Sequence, residues 1–261
     1  MDLVEVRETR IAHTRSDLDF ATGVKPLGGG TWLFSEPQPG VTGLVDLTGF
    51  GWESVTTTSE SLNIAATCTV AELARLEYSP LFLQCANAFL ASFKIWNIST
   101  VGGNICTALP AGPMISLAVA LDATLVLWTA TGERRMLMAD FVLGVQQTAL
   151  RPGEILRTIE IPWNTISSHS GFRTIALSPL GRSAAVIIAR ADPSGSTLFT
   201  ISASTTRPHQ LRFDSMPTAS TLAAAVSSID DWYSDPHGAP DWRRAMSLLL
   251  AEELRVELGA F

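Results

Sequence analysis

Apolar residues along this chain alternate with polar ones in short runs, then crowd into longer blocks, and their spacing predicts an order of elements. The opening Met1-Asp2-Leu3-Val4-Glu5-Val6-Arg7 alternates charged with apolar side chains and reads as a first strand. Val24 to Leu27 and Gly43 to Leu47 read as short strands, separated by a triple glycine and the proline-rich loop Pro37-Gln38-Pro39-Gly40. Trp52 to Thr58 and Ser61 to Thr67 suggest a hairpin. Thr69 and Glu72, three apart, form a capping box that starts a helix near Val70. Pro80 to Phe93 has the apolar density of a second helix, the stretch through Asn104 reads as irregular, and Met114 to Leu121 as a further helix before a strand at Thr124 to Trp128. Glu154 to Ile161 is a strand with Ile155, Ile159 and Ile161 on one face, closed by Pro162.

The pattern changes after Pro162. Strands are expected near Phe172 to Leu177, Ala184 to Ala191 and Leu198 to Ser204, as an antiparallel meander turning at Gly181 and Asp192-Pro193-Ser194-Gly195. Helices follow from about Thr218 to Ile229 and from Asp241 to Leu258. In the second, Trp242, Ala245, Leu248, Leu249 and Leu254 recur at helical spacing, so both helices should pack on one sheet face. The polar connector Asn164, Ser167, Ser168, His169 and Ser170 marks a boundary between Pro162 and Gly171.

With 261 residues the chain is long enough for two or three modest cores. Acidic residues outnumber basic ones 25 to 18, for a net charge of -7, and no basic run exceeds Arg134-Arg135 or Arg243-Arg244, so no footprint for nucleic acid is visible. The start lacks the order of a secretory signal, and the most apolar stretch, Met114 to Trp128, carries Asp122 and falls short of the roughly 20 residues a membrane span needs. Cys68, Cys85 and Cys106 are widely spaced in apolar surroundings, as reduced thiols of a cytoplasmic protein would be. Their spacing matches neither an iron-sulfur nor a structural zinc site.

Chemistry concentrates in two glycine clusters, Leu27-Gly28-Gly29-Gly30-Thr31 and Thr100-Val101-Gly102-Gly103-Asn104, each following an apolar or β-branched segment. Without Cβ, successive amides can turn inward into a nest that an anion approaches closely. An acidic protein that binds an extended diphosphate must draw donors from its main chain, and two loops supply them from two directions. Elsewhere, His13, His169, His209 and His237 are scattered. Asp235, His237 and Asp241 lie in a turn-rich connector with Pro236, Gly238 and Pro240 rather than in a metal motif, and no Gly-x-Ser-x-Gly elbow is present.

Lys25-Pro26-Leu27-Gly28-Gly29-Gly30-Thr31-Trp32-Leu33, Leu44-Val45-Asp46-Leu47, Val101-Gly102-Gly103-Asn104-Ile105, Ala118-Val119-Ala120-Leu121-Asp122-Ala123 and Glu154 to Pro162 together resemble the flavin subunit of molybdenum hydroxylases, the group of xanthine dehydrogenase and aerobic carbon monoxide dehydrogenase. Arg182 to Arg190 and Asp241-Trp242-Arg243-Arg244 with Leu248 to Leu254 extend the resemblance to that family's C-terminal domain. It implies an α+β protein: two α/β FAD-binding subdomains, 1–55 and 56–165, and a C-terminal domain, 166–261, with an antiparallel three-stranded sheet and helices. FAD would be the cofactor, its pyrophosphate held by both glycine loops. Carried over residue by residue, Lys25 to Leu33 form the first flavin segment and Ser99, Thr100, Gly102, Gly103, Asn104 and Cys106 the second. Ile155 and Leu156 line the isoalloxazine, and Arg173 stands near the ring.

The resemblance further implies a cytoplasmic oxidoreductase subunit. Electrons would come from a molybdenum-cofactor large subunit through a two-cluster iron-sulfur small subunit, in a single or doubled heterotrimer, and pass to NAD or another acceptor. Two departures stand out. Trp96 precedes Asn97 where relatives commonly have arginine, and Pro113 stands where they often have aspartate. Trp96 reads as core or subunit packing and Cys106 as a small buried filler. The alternatives are a stand-alone flavin oxidoreductase similar to the reductase of peptidoglycan precursor synthesis, and a flavin-free assembly module.

Overall fold

A computed structural model describes residues 3–260. The first sheet is parallel, with β1 (Glu8–Ile11) and β2 (Val24–Leu27) on either side of β3 (Gly43–Asp46). The expected opening strand thus starts later than the alternation suggested. Leu3 to Arg7 form no strand, and Met1 and Asp2 lie outside the described residues. As the central strand, β3 buries Gly43, Leu44 and Val45, while β1 is mostly exposed.

The second sheet is antiparallel, in the order β4 (Val55–Thr57), β5 (Ser61–Ala65), β10 (Ile155–Pro162), β6 (Thr124–Trp128), β7 (Glu133–Leu137), with a separate hairpin of β8 (Val142–Gly144) and β9 (Gln147–Thr148). Between β5 and β6 the chain forms α1 (Val70–Leu73), α2 (Pro80–Ala88), α3 (Phe93–Trp96), α4 (Val101–Thr107) and α5 (Pro113–Ala120), and α6 (Trp163–Ile166) follows β10. The capping box at α1 is present in full, Thr69 accepting from the Glu72 amide and the Glu72 carboxylate from that of Thr69. The segment expected to be irregular holds α4, so the second glycine pair is helical. Glycine is required there because a Cβ on Gly102 would lie 2.7 Å from the Ala66 carbonyl oxygen.

An aromatic and guanidinium cluster joins the first two sheets. Trp52 stacks on Phe50 with ring centroids 4.6 Å apart, Trp128 meets Trp52 edge-on at 5.6 Å, and the Arg157 guanidinium lies 4.2 Å over Trp52. Such contacts add roughly 0.5–1.5 kcal/mol each beyond burial.

The C-terminal sheet has four strands, β11 (His169–Ile175), β12 (Ala185–Ala191), β13 (Thr197–Ser202) and β14 (His209–Phe213), paired in sequence order, with α7 (Ala219–Ser227) and α8 (Pro240–Leu258) following. The three-stranded expectation missed β14, an edge strand whose five residues include only Leu211 and Phe213 as apolar side chains. As expected, α7 and α8 pack on one face of this sheet, and α5 covers the other. Ala185, Ile187, Phe199 and Ile201 pack with α7 and α8, while Val186 and Ile188 join the core around α5. Burial on both faces is why β12 and β13 read as near-continuous apolar runs.

Polar contacts fix this domain to α5. Arg190, 2% exposed, donates to the Ala120 carbonyl at 2.8 Å and to Asp122 at 2.7 Å, and Gln210 donates to the Val119 carbonyl at 2.7 Å. The inward stripe of α8 is Arg243, Ser247, Leu250, Ala251, Leu254 and Leu258, so the face inferred from Ala245 and Leu249 is rotated, with both exposed. Arg243 anchors that stripe by donating to the carbonyls of Gly238, Ala184 and Ala203 and pairing with Asp235.

Candidate functional site

Beyond Leu27 the chain leaves the first sheet and runs through Gly28, Gly29, Gly30, Thr31, Trp32 and Leu33 without regular structure. The first amides to find an internal acceptor are those of Phe34, bonded to the Gly30 carbonyl at 2.9 Å, and Ser35, bonded to Trp32 at 3.0 Å. The six N–H groups from Gly28 to Leu33 have no acceptor among the described residues. Main-chain donors are normally paired, so such a row is a ready receptor for an anion. Gly30 makes the bend, at φ +70°, where residues with a Cβ are strained. A Cβ on Gly29 would overlap the Ile98 carbonyl oxygen, so the loop lies directly against the segment that leads into α4.

That segment forms the facing wall. Thr31 Oγ1 and Ser99 Oγ are hydrogen-bonded at 2.9 Å, tying the loop to the segment before α4. A cavity of about 810 Å³ opens between the two. Lys25, Pro26, Leu27, Gly28, Gly29, Gly30, Thr31, Trp32 and Leu33 line one side of it, and Ser99, Thr100, Gly103, Asn104 and Cys106 the other. Its size suits an organic cofactor.

The second glycine cluster contributes differently from the first. Val101 N–H donates to the Cys68 carbonyl at 2.8 Å, Gly102 to that of Ala66 at 2.9 Å, Gly103 to Thr100 Oγ1 at 3.0 Å and Asn104 to the Thr100 carbonyl at 3.0 Å. These amides are already bonded, so this wall offers side-chain hydroxyls in place of a nest. Asn104 has a further task, its Oδ1 accepting from the Met114 amide at 3.1 Å in the first turn of α5.

Four sequence candidates lie outside the cavity lining. Gly102 packs on Ala66, Ile155 sits in a small core with Ala12, Leu18, Val45 and Leu47, and Leu156 in the main core. Arg173 on β11 pairs with Glu253 and Glu257 on α8. Conversely, Phe89, Leu109, Gln146 and Leu150 line the cavity, although no local motif marks them, because each comes from a different segment. Burial pushes the Cys106 thiol up to about 12, which leaves it protonated at neutral pH and suits a filler. The two departures are packed apolar positions. The Trp96 indole N–H is buried without a hydrogen-bond partner among the described residues, and Pro113 is buried in the first turn of α5.

Asp235, His237 and Asp241 form no metal group. No cluster of three or more His, Cys, Asp or Glu side chains suited to a metal occurs among the described residues, and Asp235 is taken by Arg243. A second cavity of about 400 Å³ adjoins the first and shares Trp32, Phe89, Asn104 and Leu109 with it.

The unpaired amide row, the glycine positions that a Cβ would block and the cavity volume all fit a bound dinucleotide. Comparison with known proteins agrees. Residues 9–164 match the model of the FAD binding domain in molybdopterin dehydrogenase. The chain is 34% identical to the nicotinate dehydrogenase FAD-subunit of Eubacterium barkeri over 113 residues, which is 40% of this chain and 38% of that one. It is 38% identical to rice (Oryza sativa subsp. japonica) xanthine dehydrogenase over 76 residues, 29% of this chain and 6% of that protein. The matched stretches thus span well under two thirds of these relatives.

Among solved structures, quinoline 2-oxidoreductase from Pseudomonas putida 86 superposes with a TM-score of 0.81 at 21% identity, covering 96% of this chain and 95% of that one. Reconstituted CO dehydrogenase from Oligotropha carboxidovorans gives 0.84 at 20% identity, covering 95% and 97%. These likenesses establish the fold. The chain belongs to the FAD-binding flavoprotein family of the molybdenum hydroxylases, and the cofactor of that domain is FAD.

Proposed function

We propose that this chain is the FAD-binding electron-transfer subunit of a molybdenum-containing hydroxylase. In that complex it would sit beside a large molybdenum-cofactor subunit and a small two-cluster iron-sulfur subunit. One observation carries the proposal: the six amides from Gly28 to Leu33, which have no acceptor among the described residues, belong to a loop that lines, together with Ser99 and Thr100, a cavity large enough for a dinucleotide. The amides would bind the diphosphate and the Thr31 and Ser99 hydroxyls would fix the loop that presents them. Asn104 would hold the wall by its bond to Met114. Gln146 and Leu150 would shield the far end from water.

When bound, FAD supplies both one-electron and two-electron chemistry, which lets such a subunit link iron-sulfur carriers to NAD or another two-electron acceptor. The protein's part is position and exclusion of solvent, and no acid or base is assigned. The name of the nicotinate dehydrogenase relative, FAD-subunit, supports assembly with further chains. Among the described residues no helix is long and apolar enough to cross a membrane.

The test is purification from its native source. We expect a yellow protein that releases one FAD per chain on denaturation and co-purifies with molybdenum and iron. A colourless protein that takes up no FAD would overturn the flavin assignment. A yellow one free of both metals would favour a stand-alone flavin oxidoreductase.

A further inference from the structure

Strand β10 carries one residue more than its neighbour β6 can pair. Leu156 pairs with Leu127 and Thr158 with Val126, so Arg157 is the inserted residue of a bulge. A bulge re-aims the side chain it inserts, and this one lays the Arg157 guanidinium 4.2 Å over Trp52 and 5.2 Å from the ring centroid of Trp128. A second guanidinium, that of Arg15 in the turn after β1, lies 3.9 Å over Trp128. The two cations thus reach the same indole from distant segments of the chain, and none of these four side chains lines either cavity.

Stacking uses the face of a guanidinium, whereas its five N–H donors lie in the plane and need acceptors of their own. Arg157 Nη1 donates to Thr158 Oγ1 at 3.0 Å. Its Nε is sealed from solvent with no acceptor, and its Nη2 has none among the described residues. Nor does a carboxylate pair with Arg157 there: Glu133 accepts from Arg15 at 2.9 Å and from the Trp128 indole at 3.1 Å, and Glu160 pairs with Arg135. Arg15 in turn keeps Nε and Nη1 without acceptors. Burial first, and then the charge of Arg15, hold the Arg157 pKa below the ordinary arginine value, which is the condition of a cation lacking its counter-charge. That this occurs in a protein of net charge -7 makes the missing anion the more conspicuous.

The geometry points to Arg157 and Arg15 as the binding site of a tetrahedral oxyanion, either inorganic phosphate or the phosphoryl group of a small ester. A carboxylate gripped by one guanidinium fork needs two adjacent free nitrogens on one edge. With Nε sealed and Nη1 engaged by Thr158, Nη2 is the uncommitted nitrogen of Arg157, and Arg15 supplies further donors from a different segment. An ion whose oxygens point in several directions meets donors arranged in this way better than two oxygens in one plane. The indoles hold both cations in place before the anion arrives, which lowers the cost of ordering them. The site stands apart from the dinucleotide cavity and requires no flavin.

The experiment is calorimetric titration of the purified protein, with and without saturating FAD and at constant ionic strength, with inorganic phosphate, glycerol 1-phosphate and acetate. We expect 1:1 binding of phosphate or its ester that persists in saturating FAD and is at least tenfold tighter than that of acetate. Arg157→Met keeps an unbranched stem on Trp52 without its charge and should weaken binding at least tenfold. Arg15→Gln should weaken it at least threefold, and Arg244→Gln, at an exposed arginine of α8, should change nothing. The Arg15 side chain is 34% exposed and lies in a turn, so Arg15→Gln decides the matter if Arg157→Met fails to fold. Tighter binding of the ester would identify a phosphorylated small molecule as the source, and tighter binding of the free ion inorganic phosphate; both support the site. Absence of binding, acetate bound as tightly, loss of binding in saturating FAD, or binding indifferent to the Arg157 and Arg15 variants would overturn the inference.

Discussion

Replacing Gly29 by alanine adds one methyl group where the structure has no room for it. The new Cβ would overlap the Ile98 carbonyl oxygen and lie 2.6 Å from the Ile98 carbonyl carbon and 3.2 Å from Ser99 Cα. All three atoms are main chain, so no side-chain rotation relieves the clash, and the amide row must retreat from the facing wall. Overpacking of this kind costs about 1–3 kcal/mol of stability. At about 2–4 °C per kcal/mol for a chain of this size, Tm should fall by roughly 2–12 °C.

The effect on the cofactor should be larger. Each hydrogen bond from an amide to a charged phosphate is worth roughly 1.5–3 kcal/mol. Loss of two would weaken FAD binding by about 3–6 kcal/mol, a rise in Kd of more than about 100-fold. Flavin fluorescence titration of the apoprotein measures Kd, and differential scanning fluorimetry measures Tm. Gly132→Ala, whose new Cβ would meet nothing nearer than Thr129 Oγ1 at 3.9 Å, is the control and should change neither. A Gly29→Ala protein that binds FAD within threefold of the parent would refute the assignment of the diphosphate to this loop.

Three other tests follow from the same geometry. Thr31→Val and Ser99→Ala each remove one partner of the 2.9 Å hydroxyl pair, and a double-mutant cycle on FAD affinity should show coupling of about 1 kcal/mol, with strict additivity counting against the latch. At Asp122, burial pushes the carboxyl pKa up, but hydrogen bonds from Arg212 and Arg190 and their charges outweigh it and hold it below the ordinary value. A carboxylate with a lowered folded pKa contributes stability that is complete above about pH 4 and is lost as pH falls through the folded value. Asp122→Asn should therefore lower Tm at pH 7 and narrow the gap between Tm at pH 7 and at pH 3; an unchanged gap would refute the coupling. Burial raises the Cys85 thiol pKa and pushes Cys68 and Cys106 up to about 12, so iodoacetamide at pH 8 should label all three at least 100-fold more slowly than free cysteine, as read by mass spectrometry of the native protein.

Much of the framework could be read from local pattern because its causes are local. The capping box at Thr69 and Glu72 and the apolar blocks that became β6, β10, β12 and β13 depend on near neighbours in the chain. The Gly28 to Gly30 run was also visible, because the absence of a Cβ is a property of residue type.

What could not be read depended on partners distant in sequence. Gly102 and Gly103 have the composition of a loop, yet contact with Ala66 and the Thr100 cap make them helical and commit their amides. Arg173 has a suitable charge for a ring neighbour, yet Glu253 and Glu257, some eighty residues on, hold it against α8. The inward face of α8 is set by Arg243, which hydropathy counts as a surface residue until the carbonyls of Ala184 and Ala203 converge on it. Residue order was thus enough to establish many of the extended, helical and turning segments, since those follow from steric and hydrogen-bonding preferences over a few residues. Which amides stay free for a ligand, which cations stay unpaired and how two cavities come to share a wall were settled by packing, because each depends on whether a distant acceptor arrives within about 3 Å.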